Sequence, residues 1–339
     1  MKAAIVLGIF LAISFFSNLR HFVHDVTTKA KVGRQAREHL EEVTFENNRS
    51  KNKIAVLDIT GIISAEAWDR NGNNLVDLIS DQLRLAGDDD AVRAVVLRVD
   101  SPGGEVLASD EIYNAIADFQ KDSNKPIVAS MGGLAASGGY YVSAPCHWIV
   151  ANELTITGSI GVIMHSYNYR GLMDKVGVRP EIFKSGRFKD MLSGEKNDDE
   201  ILPEEKQMVQ ALIDESFEKF KRVVEDGRKY AHGQNGGEGR PLVDEWMDYA
   251  DGRVLSGKRA FDLGFVDELG NFDTAVERAK KLAGITQANL VQYERPFDLG
   301  TLFRLLGQTE SRAVKIDLGL QLPKLQVGRL YFLSPTVLH

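Results

Sequence analysis

Cysteine is nearly missing from this 339-residue chain; Cys146 is the only one. No intramolecular disulfide can form, and a metal site built on several thiolates is excluded. Positive charge is in deficit. Against 48 Asp and Glu there are 41 Lys and Arg, a formal net charge of −7. With no long basic stripe either, a nucleic-acid partner is not expected. No internal repeat recurs at a period of roughly 20 to 50 residues, which argues against solenoids and propellers. What remains is an ordinary globular composition, 43% hydrophobic and 26% charged, in a chain long enough to bury a substantial core.

Long apolar runs are also scarce. The one that stands out is Ala3 to Phe16, preceded by Lys2. As a helix it spans about 21 Å, short of the roughly 30 Å hydrocarbon core, and Ser17-Asn18-Leu19 extends it. No good small-x-small cleavage site follows, so residues 1–19 are expected to be a signal anchor rather than a cleaved signal. The downstream flank carries Arg20, Lys29, Lys31, Arg34 and Arg37. Read alone, that flank places the following domain inside the cell. Residues 20–50 are polar, with helix-like content at Gln35 to Glu42, and are expected to form a stalk.

From Lys53 onward the pattern changes. Ile54 to Ile59, Val92 to Val99, Pro126 to Ser130 and Trp148 to Ala151 are short apolar runs of the kind that form buried strands. Between them, Asn74 to Ala86 and Ser109 to Phe119 have helical spacing, and Leu134 to Ser143 is expected to be a helix of small residues. This β-α-β-α order predicts parallel strands with right-handed crossovers. Pro203 to Tyr230 is a long helix. Arg253 to Leu269 reads as strand, helix, strand, and Thr274 to Ala283 as another helix. Residues 296–339, including Leu330-Tyr-Phe-Leu333, show no clear period.

Three glycine-rich runs each follow a predicted strand: Asp100-Ser-Pro-Gly103-Gly104, Met131-Gly132-Gly133 and Thr155-Ile-Thr-Gly158-Ser159-Ile-Gly161. In an open parallel sheet all three are expected at the carboxyl edge, where ligands bind. Ser137, between Ala136 and Gly138, is the candidate nucleophile, because small neighbours let a peptide approach closely. Acyl transfer also needs N–H donors aimed at the developing oxyanion. Gly138 is one, and Gly103 or Gly104 the other. A base is needed too. Of seven histidines, His165 is the one placed to serve. Lys189, after a Ser-Gly turn and beside Phe188, is the competitor, provided burial lowers its pKa.

Taken together, Asp100-Ser-Pro-Gly-Gly, Gly133-Leu-Ala-Ala-Ser137-Gly-Gly-Tyr-Tyr141, Thr157-Gly-Ser-Ile-Gly-Val162, Ser185-Gly-Arg-Phe-Lys189-Asp190 and Gly252-Arg-Val through Gly264-Phe-Val-Asp-Glu-Leu-Gly270 resemble the signal peptide peptidase A family of serine–lysine proteases. The resemblance covers about residues 53–285 and leaves 286–339 as an extension of open role. It implies an α/β fold of the Clp-protease/crotonase type, with a parallel sheet and flanking helices behind one N-terminal transmembrane helix. It implies Ser137 as nucleophile, Lys189 as general base, Ser159 as the hydroxyl that orients the lysine, and Gly138 with Gly103 or Gly104 as oxyanion hole. No metal or cofactor is expected. The implied substrates are leftover signal peptides and other membrane-associated hydrophobic peptides. Because the motifs occur once, the resemblance implies a homo-oligomeric ring, an octamer, in which neighbouring subunits supply serine and lysine. It places the domain at the cell membrane on the extracytoplasmic side, against the charge of the flank. The rival readings are a Clp-type Ser–His protease using His165, a non-proteolytic membrane scaffold, and a crotonase-type acyl-CoA enzyme.

Overall fold

The computed structural model describes residues 40–67, 73–295 and 329–334. The expected anchor at 1–19 lies outside these residues, as does most of the expected stalk. Among the described residues, no helix is long and apolar enough to cross a membrane.

The apolar runs become the centre of a sheet. Strands β2 (Lys53–Thr60), β3 (Val92–Ser101), β5 (Ile127–Ala136) and β6 (Trp148–Ala151) lie side by side and parallel. Their runs are nearly continuous because both faces are covered. Alternate residues sort to opposite sides. Ala55, Leu57 and Ile59 face a large core, which takes Ile79 and Leu83 from α1 (Leu75–Asp88) and Ile112 and Ile116 from α2 (Val106–Ser123). Ile54 and Val56 face the other way, onto Ala275, Val276 and Ala279 of α7 (Phe272–Leu282). Helix α1 starts where Asn74 accepts a 2.9 Å hydrogen bond from the Asp77 N–H, an N-cap worth about 1 kcal/mol.

The order across the main sheet is β1-β11-β2-β3-β5-β6-β10, where β10 is Glu268–Leu269, with β7 (Ile156–Gly158) continuing beside the end of β5 and β9 (Val254–Ser256) beside β7. The two strands at one edge, β1 and β11, were not expected. Strand β1 (Glu41–Glu46) pairs antiparallel with β11 (Asn289–Glu294). Part of the predicted helical stalk is therefore an edge strand, and part of the C-terminal extension lies inside the sheet. Their partners are some 250 residues apart in sequence, so no local pattern reveals the pairing. A second, small sheet has the order β4-β12-β8: Gly103–Glu105, Leu330–Leu333 and Ile163–Met164. The remaining helices are α3 (Gly138–Ser143), α4 (Arg170–Lys175), α5 (Pro203–Gln234) and α6 (Gly257–Asp262).

The helix expected from Leu134 starts later than predicted. Leu134, Ala135 and Ala136 extend β5, because β7 runs parallel to them and supplies strand partners. Ser137 therefore stands at a strand-to-helix junction, not inside a helix.

Candidate active site

Ser137 has φ 55 and ψ −115, a conformation that L-residues avoid and that turns the chain sharply from β5 into α3. Its N–H donates to the Gly158 carbonyl at 2.8 Å, and its carbonyl accepts from the Tyr141 N–H at 2.8 Å. The turn is held from below by two tyrosines of α3. The Tyr140 hydroxyl donates to the Phe265 carbonyl at 2.9 Å, and that of Tyr141 to Asp110 at 2.7 Å. Ser137 is 1% exposed, and its Oγ has no hydrogen-bond partner among the described residues. A buried hydroxyl without a partner costs stability unless another molecule supplies one.

Two glycines meet beside it. Gly103 has φ +96, and a Cβ built on it falls 2.5 Å from the Gly138 N. A Cβ on Gly138 falls 2.7 Å from Ser109 Oγ, 3.0 Å from Gly103 Cα and 3.1 Å from Gly104 N. The backbones approach too closely for any side chain, and this brings the peptide groups of the first glycine run against that of Gly138. Gly138 opens α3, so its N–H has no partner within the helix. The Gly103 N–H already donates to Ser101 Oγ at 3.0 Å.

The third run also reaches this place. Gly158 is the register partner of Ala136, and Ser159 (φ 52) is buried next to it, with its N–H on the Arg253 carbonyl at 2.8 Å. The second run does not form a turn at the site. Met131-Gly132-Gly133 lies within β5, where the register passes from Val99↔Met131 to Ser101↔Ala135 and so leaves a bulge. Gly132 packs against the Asp100 side chain there, and both glycines line a separate 530 Å³ cleft with Asp58, Arg98 and Phe272.

Within one chain Lys189 makes no hydrogen bond to Ser137. It sits exposed on a turn, and the serine hydroxyl has no bonded partner. The neighbouring Asp190 is tightly held, by Lys184 at 2.8 Å and Lys196 at 3.2 Å. Lys196 is buried and also pairs with Glu205 at 2.7 Å. Burial acts to lower the Lys196 pKa, but hydrogen bonds to the two carboxylates outweigh it and hold the ammonium above its usual range. Nothing in the local sequence singled out Lys196 or Glu205, which come together only through the fold. His165 is half-buried, and its Nε2 lacks a partner, so it makes no bond to Ser137 either.

Sequence comparison matches residues 119–286 to Peptidase family S49 and residues 22–147 to the Clp protease family. A Synechocystis sp. protein described as a protease is 39% identical over 67% of this chain and 76% of its own length. An Enterococcus faecium protein described as a signal peptide peptidase SppA is 34% identical over 75% of this chain and 71% of its own. Protease 4 of Haemophilus influenzae is 35% identical over 73% of this chain, but that stretch is only 38% of the longer relative. The mostly parallel Clp-protease-like sheet agrees with these matches. The chain belongs to Peptidase family S49 and is a serine peptidase of the signal peptide peptidase A family.

Proposed function

We propose that the protein is an endopeptidase in which Ser137 is the nucleophile and Lys189 of a neighbouring protomer is the general base. The observation that carries this reading is the Ser137 hydroxyl, buried and unpartnered at a strained strand-to-helix turn beside the free N–H of Gly138. The lysine amine takes the hydroxyl proton as Oγ attacks the peptide carbonyl. The oxyanion is met by the Gly138 N–H and by that of Gly103 or Gly104 on the adjoining glycine run. The protonated lysine then gives its proton to the leaving amine, and water releases the acyl group by the reverse path. Ser159, on the third glycine run, orients the amine.

The shared site is supported by the segment that carries Lys189. Tyr167, Leu172, Val176 and Phe183 all lie open to solvent, Phe183 at 93%, and α4 buries none of its residues. An arm with a run of exposed large apolar side chains of this kind supports a contact with another chain. In the proposed ring, an octamer, the arm lies on the next protomer and brings Lys189 to that protomer's Ser137. The substrates are remnant signal peptides and similar hydrophobic peptides. The domain is attached to the cell membrane through the N-terminal segment and works on its extracytoplasmic side.

The test is complementation between inactive chains. Ser137→Ala and Lys189→Ala proteins are each inactive, and reassembly of a 1:1 mixture should restore about one quarter of wild-type peptidase activity, the share of contacts that pair an intact serine with an intact lysine. No recovery, with rings formed, would refute the shared site. The orphaned Nε2 of His165 keeps the serine–histidine reading testable in the same assay: loss with His165→Ala but not with Lys189→Ala would replace the lysine.

A further inference from the structure

The segment that carries Lys189 has almost no core of its own. From residue 161 to residue 200, only Gly194 and Lys196 are buried. Lys196 is therefore the one buried side chain of the whole stretch, and it is charged. Around Lys189 the backbone is held by short turns. The Lys189 N–H donates to the Gly186 carbonyl at 3.2 Å, that of Met191 to Phe188 at 3.0 Å and that of Ser193 to Asp190 at 3.1 Å. Hydrogen bonds of this local, uncovered kind open at little cost. A general base must nevertheless hold its place to within about 0.5 Å.

A chain of charges supplies the missing anchor. Asp190, the residue after Lys189, is reached by Lys184 at 2.8 Å and by Lys196 at 3.2 Å. The Lys184 side chain is 37% exposed, whereas that of Lys196 is 5% exposed and continues to Glu205 at 2.7 Å. Glu205 is 1% exposed and lies in the first turn of α5, where the helix dipole favours a carboxylate. Its Oε2 is buried with no partner among the described residues, so Lys196 is the cation on which this carboxylate depends. Farther along, α5 puts Phe220, Val223 and Val224 into the large core. The Lys196 backbone is tied as well: its carbonyl accepts from Asn168 Nδ2 at 3.1 Å, and the Tyr169 N–H donates to the Gly194 carbonyl at 2.9 Å. Beside this chain, Arg187 meets Glu204 at 3.3 Å, but both are open to solvent and such a pair contributes little.

Stability alone does not explain a buried lysine here. Taking an ammonium and a carboxylate out of water costs about as much as their attraction returns, and an apolar pair would serve a core as well. What the ions add is a fixed direction and a balanced charge. Two ammonium groups against two carboxylates leave no spare anion beside Lys189. The hydrogen bond from Lys184, aided by that from Lys196 and opposed by desolvation, holds the Asp190 carboxyl below its usual range. We propose that Lys196 is a positioning residue for catalysis: seated between Asp190 and Glu205, it fixes the Lys189 turn to the start of α5 and keeps the Asp190 carboxylate from turning to the Lys189 amine. This rests on the reading of Lys189 as general base. Without Lys196, Asp190 keeps only the half-exposed Lys184 and can pair with the neighbouring amine, which then holds its proton.

The test uses the assembled full chain as wild type, Lys196→Met, Lys196→Arg, Lys196→Met with Glu205→Gln, and Lys196→Met with Asp190→Asn. Four properties are read: assembly by size exclusion, Tm, backbone hydrogen exchange over residues 185–195, and kcat and KM on a fluorogenic hydrophobic peptide across pH. Lys196→Met should lower kcat about 100-fold, because the base is displaced, and leave KM within about twofold. The acid limb of its pH–kcat profile should move toward higher pH by about one unit. Exchange over the turn should quicken about tenfold. Arginine can bond both carboxylates, so Lys196→Arg should stay within about fivefold of wild type. Lys196→Met leaves Glu205 as a lone buried charge and lowers Tm; adding Glu205→Gln should recover Tm but not kcat. Adding Asp190→Asn instead should return the acid limb to its wild-type position. A kcat for Lys196→Met within about threefold of wild type overturns the proposal. So does recovery of kcat together with Tm in the Glu205→Gln double variant, which would make the pair merely structural. Loss of assembly in both of these variants overturns it too, as the pair would then serve the subunit contact. If exchange quickens as expected but Lys189→Ala is as active as wild type, the clamp on the turn stands and the reading of Lys189 as base falls.

Discussion

Gly138→Ala isolates the contact on which the proposed oxyanion site depends. Position 138 has no positive φ to preserve, so the substitution adds bulk without backbone strain. The new methyl group would meet Ser109 Oγ at 2.7 Å, Gly103 Cα at 3.0 Å and Gly104 N at 3.1 Å. The hydroxyl is itself held by the Glu105 carbonyl at 2.9 Å, but a side chain can turn away. The two backbone contacts cannot, so the β4 turn and the start of α3 must separate by a few tenths of an ångström. Overpacking of this kind costs about 1–3 kcal/mol of stability. The catalytic cost is larger, because a displaced oxyanion donor lowers turnover by about 10²–10³. The expected result is a folded protein with modestly lowered Tm, unchanged assembly and kcat/KM reduced about 100-fold on a hydrophobic peptide. Adding Ser109→Ala removes the side-chain clash alone and should restore little activity. A Gly138→Ala protein with kcat/KM within about threefold of wild type would refute the assignment of the Gly138 N–H.

Two further expectations concern the scaffold. Arg228 is fully buried against Asp267, which also accepts from the Ile149 N–H at 2.8 Å; Arg228→Leu leaves that carboxylate alone in the core and should cost about 3–5 kcal/mol in urea unfolding, much of it recovered when Asp267→Asn is added. Burial pushes the His147 imidazole down to about 4, whereas the unfolded chain titrates it near 6.5. Only the unfolded state gains this proton between those values, so stability falls as pH falls through the window, by about 2 kcal/mol at pH 5. His147→Gln should flatten that part of the Tm–pH curve, and an unchanged slope would remove His147 as its source.

The central strands and the ordered glycine runs were readable in sequence because each is local. Ile54 to Ile59 is apolar apart from Asp58, as suits a strand covered on both faces, and Ser-Pro-Gly-Gly marks the break where β3 gives way to β4. What was hidden depends on distant partners. Ala135 and Ala136 look helical until β7 is placed beside them. Met131-Gly132-Gly133 looks like a turn until the register of β3 makes it a bulge. Leu330-Tyr-Phe-Leu333 is too short for its period to show, and only the two edges awaiting it make it a strand. Lys189 is a harder case, since in the proposed site its amine meets Ser137 of another protomer, and no local pattern within one chain encodes such a contact.

The backbone at Ser137 has a consequence for how this position changes over time. A side chain held at φ 55 and ψ −115 costs about 1–3 kcal/mol, a penalty that glycine avoids. Alanine would keep the penalty and lose the hydroxyl. Drift under selection for folding alone would therefore run toward glycine, and a lineage that stopped using the hydroxyl would become more stable by discarding it. Serine at this junction thus runs against the preference of the fold. In a descendant that no longer used the proposed nucleophile, residue 137 is expected to become glycine.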